Sequence, residues 1–385
     1  MHIPLHKPYW GDKEERAVLS AMRSGTGVAD GPWGMKLSAR LCAVTGARFA
    51  FPVPNATSGL EMAVACLDTP PKSEVIVPSF TLSATALAFV NRGAIPVFAD
   101  IDKQTYCLDP DDVAKKITKR TVGIMVVHYG GMAFRLKALV ALAKKYHLWL
   151  VEDAAHAIGA TYHGRALGTF GDAGVFSFHG TKNVACGEGG AVVTNNAKLA
   201  DRMNIYRAVG TNRQAFLAGK VSLYEWVGPG SSFLLSDILA SVVYTQLSRL
   251  SDIAKHRNRI ASRYTEALGP YTRLVQLPVI PDGITPNWHI YALKFATRDY
   301  RKQFVQGMRA RGIEVSTHFM PLHTSPMGRR ITPRHVRLPV TEDVAQTLVR
   351  LPIYPGLTGR EFEYIVKSAR VILNRLQKGQ TDLLQ

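Results

Sequence analysis

The chain has 385 residues, 46% of them apolar, and carries 47 Lys and Arg against 29 Asp and Glu, a formal net charge of +18. This composition excludes a disordered or fibrous chain, and no apolar run approaches the roughly 20 residues needed to cross a bilayer, so no membrane span is expected. The basic excess admits nucleic acid, a membrane surface or an acidic small substrate, but the basic residues are spread along the chain, and the richest cluster, "GRRITPRHVR" (Arg329 to Arg337), reads as a solvated loop rather than a nucleic-acid patch.

The N-terminal "MHIPLHKPYWGDKEER" lacks the uninterrupted apolar core of a secretory signal. Cys42, Cys66, Cys107 and Cys186 stand at scattered spacings, without a metal knuckle or redox pair. A cytoplasmic protein without a metal site is expected.

Further along, "NATSGLEMAVACL" reads as a turn opening a helix. From Ser73 to Asp153 the apolar runs "EVIVPSF", "IPVFADI", "VGIMVVHY" and "LWLVEDA" alternate with the helical patterns "SATALAFVNRG" and "FRLKALVALAKKYH". Runs that are apolar nearly throughout, joined by helical crossovers, predict a parallel sheet covered on both faces. Such sheets bind ligands at their carboxyl ends, where Phe80, Asp100, His128, Glu152 and Asp153 fall.

A short run "GVFSF" leads into "SFHGTKNVACGEGG" (Ser177 to Gly190), and "GGAVVTNN" reads as strand and turn. Beyond Leu235, "SDILASVVYTQLSRLSDIAKHRNRIASRYTEAL" predicts a long amphipathic helix, followed by the connector "LVQLPVIPDGITPNW". Then come a strand "WHIYALKF", a helix "RKQFVQGMRARG", a strand "IEVSTHF", a helix near Gly359 to Leu376 and a frayed tail "QKGQTDLLQ". The division expected is a large α/β domain with the N-terminal segment over 1–250, and a linking helix with a smaller α+β domain over 251–385.

Lys182 stands alone in its stretch, and an ordinary lysine there points into solvent. A lysine amine is nucleophilic only when neutral, a state of about one molecule in a few thousand at pH 7 for a free lysine. Desolvation raises that fraction, and an imine to pyridoxal 5'-phosphate removes the problem. That cofactor needs an anion at its ring nitrogen, donors at its phosphate and a group on its ring face. Asp153 supplies the anion, the helix start with Thr57, Ser58 and Gly59 suits the phosphate, Ser177 adds a hydroxyl, and His156 lies three residues past Asp153. Each alone has a bland reading, Asp153 and the "NATSG" turn as helix caps and His156 as a structural histidine; together they point to the cofactor.

These residues resemble the DegT/DnrJ/EryC1/StrS family of nucleotide-sugar aminotransferases. "VEDAAHAIGATYHGRALGTFGDAGVFSFHGTKNVACGEGGAVVT" is similar to the family's central block nearly end to end, and "PSFTLSATA", "GAIPVFADID" and "LPIYPGLT" agree with it. The resemblance implies the aspartate aminotransferase-like, fold type I architecture, with Lys182 as the imine-forming catalytic residue and Asp153 at the pyridine nitrogen. It also implies that His156 sits beside the ring and that Thr57, Ser58 and Ser177 hold the phosphate. Lys182 stands where the sugar-dehydrating relatives carry histidine.

Within the family, "SFHGTKN", "GTNRQAF", "LYEWVGPGSSFLLSD" and "HFMPLH" look most like enzymes that aminate dTDP-4-keto-6-deoxyglucose to dTDP-4-amino-4,6-dideoxygalactose. The resemblance implies L-glutamate as donor, a nucleotide-linked keto sugar as acceptor and a homodimer with active sites at the interface. Ser232 then reaches the neighbouring subunit's cofactor phosphate, and Arg213, Tyr224, Trp226 and His323 contact substrate. The family's aromatic residue after "PSFT" is Leu82 here, so either Leu82 packs on the ring or Phe80 shifts in. Alternatives are amination at C3, a UDP- or GDP-linked sugar, and, from another class, a non-catalytic basic binding protein on the same fold.

Overall fold

In the computed structural model, positions 1–25, 29–332 and 336–379 are described. Positions 333–335 of the basic stretch and 380–385 of the expected tail lie outside the described residues.

The strands in chain order are β1 (Phe49–Val53), β2 (Glu74–Pro78), β3 (Ile95–Ala99), β4 (Thr121–Val127), β5 (Trp149–Asp153), β6 (Thr161–Tyr162) and β7 (Arg165–Ala166). They continue with β8 (Ala173–Ser177), β9 (Gly190–Thr194), β10 (Val275–Gln276), β11 (Ile284–Thr285), β12 (Tyr291–Phe295) and β13 (Leu348–Leu351). Seven of them form the central sheet in the order β1-β9-β8-β5-β4-β2-β3. Only β9 runs against the others, pairing antiparallel with both β1 and β8. The architecture is α/β with a mostly parallel sheet, as expected.

The near-continuous apolar runs have a physical cause, because both faces of the sheet are covered. Val75, Val151, Val175 and Val192 point into one core with Leu60, Met62 and Phe89, while Ile76, Leu150, Phe176 and Val193 point into a second core on the opposite face. The second core continues into the three-stranded sheet β10-β12-β13, packed by helices Leu250–Leu268, Arg298–Ala310 and Gly359–Gln377. The remaining strands form the small sheet β11-β6-β7.

Three local expectations need correction. The single long helix is two, Asp237–Ser248 and Leu250–Leu268, broken at Arg249. Arg249 is drawn away by Glu14, at 2.9 and 3.0 Å from its two carboxylate oxygens, and by the ring of Tyr9. The run "IEVSTHF" forms no strand but makes isolated bridges from Ile313 to Ile3 and from Ser316 to Arg350. The connector contains β10 and β11.

Candidate active site

The carboxyl ends of β1, β2, β4, β5 and β8 open on one edge of the sheet, and a cavity of about 1030 Å³ lies there. Its floor comes from residues just after those strands: Asn55 and Thr57, Thr81 and Leu82, Val127, Asp153 and His156, and Ser177 with Lys182. The opposite wall comes from remote chain, including His6, His289, His318 and Arg350.

Lys182 sits in an irregular loop between β8 and β9. The loop is pinned by Phe178 N–H to Gly189 O (2.8 Å), Gly180 N–H to Gly187 O (2.8 Å) and Cys186 N–H to Phe178 O (2.9 Å). The Trp10 indole N–H adds a clamp by donating to Ala185 O at 2.8 Å. Held this way, Lys182 lines the cavity instead of the outer surface. Burial pushes its amine down to about 8, with Arg350 adding to the push and Asp153 opposing it.

Asp153 ends β5, in register with Val127 and Val175. Its carboxylate accepts from Thr85 Oγ1 at 2.8 Å and from Ala155 N–H at 3.2 Å, and Thr81 lies 2.8 Å behind Thr85. Burial holds its carboxyl above the usual range, against the pull of Thr85, Ala155, Lys182 and His128. It caps no helix.

Helix Ala56–Ala65 aims its N-terminus at the same edge, and Asn55 caps it by accepting from Ser58 N–H at 2.8 Å. The cap leaves the N–H groups of Ala56 and Thr57 without intrahelical acceptors. The helix is pressed tightly into place: a Cβ on Gly190 would meet Asn55 C at 2.6 Å and Ala56 N at 2.7 Å, and one on Gly59 would meet Val175 at 2.8 Å. Beside it, Ser177 Oγ accepts a long contact of 3.4 Å from His179 N–H, leaving its proton free.

His156 closes one side, its ring centroid 4.4 Å from that of His289 and 5.9 Å from that of Tyr129. Gly130 N–H donates to its Nδ1 at 3.3 Å, which places the proton of the neutral ring on Nε2. Burial drives His156 and His289 well below the ordinary histidine value, His6 to about 3 and His318 to about 2, with Arg350 contributing at His156, His6 and His318. All four imidazoles are therefore neutral at pH 7.

The cavity thus holds an amine with a lowered pKa, a buried carboxylate lacking a cation, and free N–H groups at a helix start. They supply the imine-forming amine, the anion and the phosphate donors for pyridoxal 5'-phosphate, and His156 and Leu82 line the same cavity as candidates for its ring face, so the residues present fit that cofactor. Among the described residues no cluster suited to a metal ion occurs, and no helix is long and apolar enough to cross a membrane.

Several sequence expectations fall elsewhere. Phe80 is fully buried among Tyr106, Tyr129 and Phe319, so it does not shift in to face the ring; Leu82, 59% exposed, is the residue at the cavity wall. Ser58 lies outside the lining, its N–H spent on Asn55. His323 does not line this cavity; it is buried, with Nδ1 2.7 Å from Ser79 Oγ and Nε2 3.3 Å from Glu342.

Three strand-end residues are also ties. Asp100 accepts from Val340 N–H, Thr341 N–H and Thr341 Oγ1, holding the start of helix Pro339–Thr347. Glu152 accepts from the N–H groups of Gly168, Phe170 and Gly171 and pairs with His128 at 2.7 Å. Ser232, Arg213, Tyr224 and Trp226 do not line the cavity of their own chain. His6, His289, His318 and Arg350 were not singled out from sequence, although His318 stands in the same "HFMPLH" as His323.

The model of the DegT/DnrJ/EryC1/StrS aminotransferase family matches residues 8–370. The uncharacterized protein MJ1066 of Methanocaldococcus jannaschii is 32% identical over 379 residues, covering 97% of this chain and 98% of its own. Among solved structures, the aminotransferase TlmJ from Streptoalloteichus hindustanus superposes with TM-score 0.90 at 29% identity, over 97% of this chain and 100% of that one. DesV of S. venezuelae, solved in complex with a ketimine intermediate, matches with TM-score 0.88 at 30% identity and the same coverage.

Proposed function

The chain belongs to the DegT/DnrJ/EryC1/StrS aminotransferase family and is a pyridoxal 5'-phosphate-dependent sugar aminotransferase, and from that premise we propose its reaction and its working residues. The amino group of L-glutamate passes to a nucleotide-linked keto-deoxysugar, with dTDP-4-keto-6-deoxyglucose going to dTDP-4-amino-4,6-dideoxygalactose; glutamate leaves as 2-oxoglutarate. The observation that carries this reading is the lowered Lys182 amine in one cavity with Asp153 and the open start of helix Ala56–Ala65. The choice of sugar and nucleotide rests on the resemblance carried by "SFHGTKN", "GTNRQAF", "LYEWVGPGSSFLLSD" and "HFMPLH".

When bound, the cofactor supplies an aldehyde that takes the amino group and a protonated ring that draws electrons from the substrate carbon. Lys182 Nζ, already a partly neutral amine near pH 8, is the group that would anchor the cofactor and, as a free amine, would carry the proton from the donor's α carbon. The same amine runs that transfer backwards on the sugar. Asp153 keeps the ring nitrogen protonated, and a cation arriving there relieves the burial penalty that now raises its pKa. Ala56 and Thr57 N–H, with the Thr57 and Ser177 hydroxyls, hold the phosphate. His156 presents Nε2–H to the ring side. The enzyme acts as a homodimer in which Ser232, Arg213, Tyr224 and Trp226 serve the partner's cavity.

A panel of dTDP-, UDP- and GDP-linked keto sugars with L-glutamate, read by product NMR, tests the assignment. A 4-amino-4,6-dideoxygalactose product from the dTDP substrate supports it. Amination at C3, or a marked preference for another nucleotide, overturns it.

A further inference from the structure

His289 presents the cavity with a nitrogen that can accept a hydrogen bond and cannot give one. It stands two residues before β12, is 3% exposed and lines the cavity. Among the described residues its ring makes one hydrogen bond, between Nδ1 and Asn183 Oδ1 at 3.0 Å. Asn183, the chain neighbour of Lys182, commits its Nδ2 as donor to Asn287 O at 2.9 Å, so the atom facing His289 is the amide oxygen. An amide oxygen accepts, so Nδ1 carries the proton and Nε2 of the neutral ring is bare. Nε2 has no partner among the described residues and is not one of the sealed atoms that lack one, so it opens on the cavity.

The surroundings hold this tautomer in place. Asn287 Nδ2 is spent on the His156 and Ile158 carbonyls (2.8 and 2.9 Å), and its Oδ1 takes the His289 N–H at 3.1 Å. A second proton is opposed by burial and by the groups that face the ring: His156 past β5, Lys182 beside Asn183, Arg257 on helix Leu250–Leu268, and His6 of the N-terminal segment. His156, 4.4 Å away between ring centroids, has the opposite tautomer, with Nδ1 accepting from Gly130 N–H. Two neighbouring imidazoles therefore offer one donor and one acceptor, each fixed from outside the cavity.

A buried acceptor without a donor is costly, so it persists where a ligand completes it. The amino donor has no hydrogen to spare for it, because its carboxylates accept and its nitrogen is the reacting atom. On the keto sugar the carbonyl, the ring oxygen and the diphosphate also accept, which leaves the hydroxyls. In a 4-keto-6-deoxy sugar the C3 hydroxyl stands beside the reacting carbon, and His289 stands near Lys182, whose charge acts on it. A carboxylate in the place of His289 would also accept, but it would pair with Lys182 and hold it as an ammonium.

We propose that His289 Nε2 accepts the hydrogen of the sugar's C3 hydroxyl, so that this residue selects substrates that carry it. The proposal rests on the amino-transfer reading above and names a specificity determinant within it.

The test compares dTDP-4-keto-6-deoxyglucose with its 3-deoxy analogue on the cofactor-loaded protein. The wild type should prefer the hydroxylated sugar by about 100-fold in kcat/KM. His289→Phe should level that preference to within about threefold, by slowing the hydroxylated sugar, while the KM for L-glutamate stays within about threefold. His289→Gln can turn an amide oxygen to the same place and should restore part of the preference. Asn183→Asp gives a readout that packing alone does not move: a carboxylate at Nδ1 favours a second ring proton, so the preference should fall as pH drops from about 8 to about 6, whereas the wild-type preference stays flat. If His289→Phe does not accumulate folded, these two variants carry the comparison. Calorimetric binding of the 4-amino product and its 3-deoxy counterpart should give the same order without turnover.

A His289→Phe protein that keeps the wild-type preference overturns the inference. So does one in which the L-glutamate half-reaction slows as much as the sugar half-reaction, which assigns Nε2 to the transferred nitrogen. A wild type that aminates both sugars equally sinks the inference alone. A wild type that aminates no keto-sugar nucleotide sinks the amino-transfer reading first and this inference with it.

Discussion

At Lys182 the decisive quantity is how much of the amine is neutral. With its pKa pulled to about 8, roughly a tenth of the molecules carry a neutral amine at pH 7, against about one in a few thousand for a free lysine. Burial is the larger cause, and its sign is fixed: it disfavours the ammonium, so protons leave at lower pH than in the unfolded chain. The rate at which cofactor-free protein captures added pyridoxal 5'-phosphate should therefore climb about tenfold per pH unit below 8 and level off above it. Stopped-flow absorbance across pH 6 to 10 reads this directly; a rate still climbing at pH 10 describes an ordinary lysine and contradicts the assignment. Lys182→Ala should show no visible imine band and no turnover. Residues of this kind were legible in the sequence because Asp153 and Ser177 end recognisable strands, His156 and Lys182 follow them closely, and Thr57 stands in a turn that opens a helix. Arg350 and His289 were not, because their place comes from long-range packing of β12 and β13 against the floor, and no local pattern marks it.

At the scale of elements, the phosphate end depends on where helix Ala56–Ala65 begins and how closely it meets β9. Gly190→Ala places a Cβ 2.6 Å from Asn55 C and 2.7 Å from Ala56 N, both backbone atoms that cannot swing aside. The helix start must then move off the sheet edge, and a loss of about 1–3 kcal/mol in stability is expected, with cofactor affinity down at least about tenfold. Asn55→Ala acts on the same element without a clash: it removes the cap on Ser58 N–H and costs about 1 kcal/mol, with a smaller loss of affinity. Chemical denaturation and cofactor titration separate the two. A Gly190→Ala protein as stable as wild type, with unchanged affinity, removes the helix start from the site. The core strands were legible from their apolar runs, since both sheet faces are buried. β1, "FAFPV", carries Pro52 and was passed over, and "IEVSTHF" has a strand's composition but divides its pairing between Ile3 and Arg350. A strand needs a partner, and partners are set by tertiary structure, as is the break that Glu14 and Tyr9 impose at Arg249.

For the whole molecule, the segment from Thr211 to Trp226 is the part that a single chain leaves unexplained. Trp226 is 82% exposed, and Leu217, Leu223 and Tyr224 are exposed within the same short segment of chain, a local concentration of exposed apolar side chains. The loop is nevertheless ordered, with Asn212 bonded to the main chain of Leu223 and Glu225 and Trp226 Nε1–H donating to Gly228 O at 2.6 Å. An ordered apolar loop, set apart from the cavity of its own chain, is suited to cover a second copy's cavity mouth, where Leu82 is exposed. Sedimentation is expected to give a homodimer, and Trp226→Asp should shift it toward monomer because a carboxylate cannot be buried there unpaired. The same change should raise the KM for the sugar nucleotide about tenfold or more and leave the Lys182 imine band in place, since Lys182 and Asp153 lie within one chain. A wild type that sediments as a monomer with full activity ends the dimer proposal. A Trp226→Asp protein that becomes monomeric yet keeps its sugar-nucleotide KM limits the loop to assembly and frees the cavity from any dependence on its partner.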